Sequence, residues 1–186
     1  MRWLVFAVAV LAANPAFAHG FVGPGWLHPL TGPDHMLAML LVGAWSAQLG
    51  GRALWTVPSA FILAMAIGAG AATAGIVLPC GELAIAVSIA ALGFAIALAK
   101  PVAVPLAMLA TVLFGLAHGT AHGFEAPADG RIGYFAGFLV TTAGLHIAGL
   151  VAGLLLLDAR DGARTLRLVG GASMLAGFGF YAAIAA

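Results

Sequence analysis

The chain has 186 residues, 63% of them hydrophobic and 7% charged, with a mean hydropathy of +1.13. A water-soluble domain carries about 25% charged residues, so this composition excludes a soluble enzyme and also a disordered chain. The formal net charge of +1 leaves no basic footprint for nucleic acid, and the single cysteine, Cys80, excludes an intrachain disulfide framework and a thiolate-built zinc or iron–sulfur site. What remains is an all-α, polytopic helical membrane protein whose partner is the lipid bilayer. The 26 glycines fit that class, because small residues let membrane helices approach closely.

In chain order, Arg2 precedes an apolar run over 3–13, followed by Asn14, Pro15 and Ala16-Phe17-Ala18. A positive start, a short apolar core and a small-x-small ending predict a secretory signal peptide over 1–18, cleaved after Ala18. The remainder, 19–186, reads as one transmembrane domain. Its apolar stretches cover 33–49, 53–77, 83–99, 102–122, 132–157 and 166 to the end, separated by polar or Gly/Pro breaks. Each has the length that crosses about 30 Å of hydrocarbon at 1.5 Å per residue. Six spans after signal removal put both mature ends on the outside. Under that orientation the inside loops hold Arg52, Lys100, Arg160, Arg164 and Arg167, and the outside loops hold only Arg131. This satisfies the positive-inside rule, and it predicts a bacterial cytoplasmic membrane protein with periplasmic termini. No stretch between spans could house an ATPase, and no phosphate-binding G-x-x-x-x-G-K-[ST] sequence occurs, so no nucleotide partner is expected.

The ionisable residues left after the inside loops collect at one end. His28, Asp34 and His35 open span 1, Glu82 opens span 3, and His118, His122 and Glu125 close span 4, all at the outer face. His146 falls near the middle of span 5. His118 and His122 stand four residues apart, on one helix face, where two imidazoles can chelate an ion. Glu125 follows three residues later. Gly115, Gly119 and Gly123 form a small-residue stripe beside them, an approach path for another helix. Between His28 and Asp34, the residues Pro29, Gly32 and Pro33 forbid a regular helix, so a bent entry segment is expected with Asp34-His35 in the first turn after it. Met36, Met39 and Cys80 read as packing residues. Intramembrane ionisable groups are costly and usually functional, and this set predicts a site for a divalent transition metal. Imidazole suits nickel, cobalt, zinc and copper, and the lack of positioned thiolates disfavours a soft-metal site.

His28-Pro29-Leu30-Thr31-Gly32-Pro33-Asp34-His35-Met36-Leu37-Ala38-Met39 resembles the H-P-x-x-G-x-D-H-x-x-x-M signature of the HupE/UreJ family of nickel/cobalt permeases. His118-Gly119-Thr120-Ala121-His122-Gly123-Phe124-Glu125 resembles that family's second motif, H-G-x-A-H-G-x-E. Glu82 with Ser88, and Leu145-His146, are similar to weaker family positions. The pattern departs at Ala117, where the family often carries an aromatic residue. The resemblance implies uptake of Ni2+, or of Co2+, that supplies a hydrogenase or a urease. The metal would be cargo, and no resident cofactor is implied.

Composition and spacing alone reach a divalent-metal membrane protein; with the resemblance, they imply a non-ATP-driven transporter in which imidazole and carboxylate replace the ion's water stepwise. Asp34 either ligates or orients a neighbouring histidine, and His146 is a deeper relay. Cleavage after Ala18 would also leave His19 first, where its amine and imidazole could chelate metal. A different class is an intramembrane zinc-dependent hydrolase, although no H-E-x-x-H is present and no serine adjoins either histidine cluster. A bis-histidine haem protein would need a ligand beyond His118 and His122, which share a face.

Overall fold

The computed structural model describes residues 24–76 and 81–185, without the side chains of Glu125 and Ala185. Segment 1–18, His19 and Cys80 lie outside the described residues. Within those residues the chain forms seven helices and no strand: α1 (His28–Thr31), α2 (Pro33–Leu49), α3 (Ala53–Thr73), α4 (Gly81–Leu98), α5 (Val104–Glu125), α6 (Arg131–Asp158) and α7 (Gly162–Ala185). Five of them, α3 to α7, are long and apolar enough to cross a membrane.

The six-span expectation meets its difference at α2. This helix has 17 residues, about 25 Å at 1.5 Å per residue, at the short limit of what crosses the hydrocarbon. Its outer end is set by Pro33 and by Gly32, whose extended backbone (φ −86°, ψ 109°) separates α2 from the single turn of α1. Other boundaries shift for local reasons. α3 stops at Thr73 rather than at 77 because Gly75 adopts φ +84° while Gly75 N donates to Ala72 O and Ile76 N to Ala71 O, a glycine-terminated C-cap. α7 starts at Gly162 rather than at 166, and Thr165 Oγ1 bonds Asp161 O at 3.1 Å in its first turn.

The helices associate mainly as three pairs, α3 with α5, α4 with α7 and α2 with α6, while α2 also touches α1, α3, α4 and α7. Each pair closes over glycine. A Cβ on Gly68 of α3 would stand 2.5 Å from Leu116 O of α5, one on Gly177 of α7 2.6 Å from Ala90 N of α4, and one on Gly153 of α6 2.7 Å from Ala47 Cβ of α2. Gly115, Gly119 and Gly123 all face α3 in this way. Lipid offers no hydrophobic drive between helices, so such close backbone packing is what holds the pairs together.

The polarity of the bundle suits a bilayer. Leu63, Ile67, Leu113, Val140, Leu155 and Leu168 are exposed, whereas Ser46, Ser88, Thr142, His118 and His146 are buried. Gln48 Nε2 donates to Ile96 O at 3.0 Å, and Arg167 Nε donates to Ala97 O at 2.9 Å. These bonds join the end of α2, the end of α4 and the start of α7, gathering the cationic loops at one end of the bundle. The histidine-rich segments lie at the other.

Candidate metal centre

The entry segment is anchored before it reaches the first histidine. Trp26 passes against Gly137 of α6, where a Cβ would meet Trp26 N at 2.8 Å, and Thr141 Oγ1 donates to Trp26 O at 2.8 Å. This clamp turns His28 inward, where it is buried. Pro29 needs no N–H donor at the start of a helix, and the turn ends at Gly32, whose N–H reaches His28 O.

Asp34 and His35 then occupy the first turn of α2, both buried. Asp34 Oδ1 accepts from His35 N at 2.9 Å and lies 2.8 Å from His35 Nδ1. The carboxylate therefore accepts a hydrogen bond from Nδ1–H, the tautomer that leaves the ligand lone pair on His35 Nε2. Of the two roles considered for Asp34, this geometry is that of an orienting group. Gly32 makes it possible, since a Cβ there would stand 2.7 Å from His35 Nδ1 and 3.0 Å from Asp34 Oδ1.

α5 contributes from the facing side. His122 packs on His35 with ring centroids 4.4 Å apart and on His28 at 4.6 Å, while His28 and His35 are 5.6 Å apart. One ring nitrogen from each of His28, His35 and His122 lies within 4.8 Å of the others. Nitrogens bound to one ion at about 2.1 Å stand roughly 3.4 Å apart in a tetrahedral site. Side-chain torsions can make up that difference. Phe138 of α6 lies against His122 at 4.5 Å and against His28 at 6.0 Å, and walls the group with Tyr134.

His118 shares the helix face of His122 but not its place. It touches His35 at 5.8 Å, and its Nδ1 donates to Phe114 O at 2.8 Å. The aromatic neighbour missing at Ala117 is supplied from another helix: Phe61 of α3 packs on His118 at 5.2 Å. The same phenyl ring packs on His146 of α6, also at 5.2 Å.

The remaining sequence candidates divide. Glu82 stands in the first turn of α4 and is not a member of the three-residue group. The start of α4 adjoins the histidine turn of α5, because a Cβ on Gly81 would lie 3.1 Å from Ala121 Cβ. Glu125 ends α5, and its side chain lies outside the described residues, as does His19. Ser88 is buried and donates to Ile85 O at 2.7 Å, so its hydroxyl serves the helix backbone. Between α3 and α6 a cavity of about 290 Å3 reaches His122, with Arg131, Phe135 and Phe138 among its walls.

Sequence reasoning passed over Phe61, Phe138, Tyr134 and Thr142. An aromatic residue within an apolar span carries no signal of its own. Thr142 had one, its spacing of four residues before His146.

The family described as HupE / UreJ protein matches residues 3–180. Protein HupE of Rhizobium leguminosarum bv. viciae is 41% identical over 173 residues, which cover 89% of this chain and 90% of that relative. No solved structure matches the chain.

Proposed function

The chain belongs to the HupE/UreJ family, and from that premise we propose that it imports a divalent transition metal, Ni2+ or Co2+, across the bacterial cytoplasmic membrane without ATP. The family is one of metal transporters rather than enzymes, which sets aside the zinc-hydrolase reading. Membership also points to metal supply for a hydrogenase or urease as the purpose of uptake.

The observation that carries this reading is the convergence of His28, His35 and His122, one ring nitrogen from each within 4.8 Å, from three separate helices. Three imidazoles, with no thiolate beside them among the described residues, suit a borderline ion. The cationic loops at the opposite end support a cytoplasmic position for that end by the positive-inside rule; in this reading the cluster faces the periplasm and meets the ion first. The signal segment 1–18 is then removed, and both mature ends are periplasmic. The hydrated ion loses water to His28 and His122 while Asp34 holds His35 in its ligating tautomer. Glu82 and Glu125 add negative charge at the same end, and His19, exposed as the new amino terminus, adds a chelating amine and imidazole. His118 and His146 continue the path inward.

The test is influx into proteoliposomes that hold the purified full chain and a metal-sensing dye. Ni2+ and Co2+ are expected to enter and Mg2+ to be refused, since magnesium favours oxygen ligands and sheds water reluctantly. No influx of any transition ion by well-inserted protein would refute the proposal.

A further inference from the structure

His118 and His146 sit deeper than the outer group. His118 lies seven residues inside the outer end of α5, about 10 Å along its axis, and His146 lies fifteen residues into α6, about 22 Å along. Both rings pack on Phe61, and all three side chains are almost wholly buried. Because His118 Nδ1 is engaged by Phe114 O, the neutral ring leaves Nε2 as a bare lone pair. That atom has no hydrogen-bond partner among the described residues. Neither has Nδ1 or Nε2 of His146, nor Thr142 Oγ1, one helical turn away on the same face of α6. Buried polar groups are almost always paired, and four bare atoms, three of them on the two imidazoles that pack on Phe61, call for an occupant.

We propose that His118 Nε2, His146 and Thr142 Oγ1 form a second, inner binding position for a divalent transition ion, reached from the outer histidines past Phe61. This inference rests on the metal-uptake reading above and adds a place where the ion stops. The two positions differ in charge. The outer one has the Asp34 carboxylate behind His35, whereas the inner one offers only neutral donors. A dication is therefore held more weakly inside, which is what onward release requires of successive sites. An ion held by both imidazoles would have the Phe61 ring, which packs on each of them, beside it.

The experiment uses the full chain in lipid nanodiscs with Co2+ as the probe, whose visible absorption reports nitrogen ligands, together with radiolabelled nickel uptake in cells. His146→Leu removes two bare polar atoms from an apolar setting, so without metal it should melt at or above the wild-type temperature. It should keep the cobalt spectrum of the outer group and lose at least ten-fold in nickel uptake. His35→Ala should retain a weaker cobalt spectrum, which disappears in the His35→Ala/His146→Leu double variant. The inner position is overturned if His146→Leu imports nickel at the wild-type rate, if it melts lower than wild type without metal, or if His35→Ala and the double variant have the same spectrum. Wild-type uptake by His35→Ala would instead overturn the outer-cluster reading, on which the His146→Leu comparison does not depend.

Discussion

A single oxygen of Asp34 holds His35 twice, at 2.9 Å through the backbone N–H and at 2.8 Å through ring Nδ1. The first bond fixes where the residue sits in the opening turn of α2, and the second fixes which ring nitrogen keeps its lone pair for the proposed ion. An orienting carboxylate of this kind contributes about 10- to 100-fold in metal affinity or activity. Asp34→Asn keeps an oxygen acceptor but loses the charge, and should lower nickel uptake toward the mild end of that range. Asp34→Ala should approach the severe end. Uptake at matched membrane abundance measures both, and equal activity of the alanine variant would remove Asp34 from the site.

Gly32 is small because of its neighbours. Its φ of −86° is open to any residue, but a Cβ would press on His35 Nδ1 and Asp34 Oδ1. Gly32→Ala should therefore lower uptake at least ten-fold and leave thermal stability within a few degrees of wild type. Gly144→Ala is the control, since nothing lies within 4 Å of its Cβ position. The paired uptake and melting measurements separate a damaged site from a damaged fold.

Gly119 makes the opposite case. A Cβ there would collide with the backbone of Met65 and Ala69 on α3, and backbone cannot step aside as a side chain can. Gly119→Ala should separate α3 from α5 and destabilise by about 1–3 kcal/mol, the usual range for overpacking. Melting in detergent should fall by several degrees, and uptake should fall with it because His118 and His122 flank the displaced turn.

Transport of a bare dication is expected to be electrogenic. An inside-negative potential of 100 mV favours entry of a double charge by about 4.6 kcal/mol, twice the single-charge value. At equilibrium that corresponds to an accumulation on the order of 10^3-fold. Proteoliposomes clamped with a potassium diffusion potential should accumulate nickel accordingly and stop when the potential is collapsed. Accumulation that follows a proton gradient instead would show coupled transport.

Much of the candidate site was legible in the sequence. The Pro29, Gly32 and Pro33 interruption announced the bent entry, and the four-residue spacing put His118 and His122 on one face. Spacing fixes a face but not a rotamer, so it did not reveal that Phe114 O turns the Nδ1 side of His118 away, nor that His122 alone of the pair joins His28 and His35. The glycine stripe on α5 marked a close helix contact without naming α3 as the partner, because every span in this chain is apolar and small residues recur in most of them. The end of α3 was misjudged because hydropathy continues through Ile76 while the backbone has already turned at Gly75. Phe61 was silent for the same reason, being one apolar residue among many.

The central claim is that His28, His35 and His122 act on one ion. Nickel uptake by cells lacking their own importer tests it most directly, comparing wild type with His28→Ala, His35→Ala and His122→Ala at equal membrane abundance. Loss of at least ten-fold in each of the three variants is the predicted result. Wild-type uptake by any one of them would contradict the shared site.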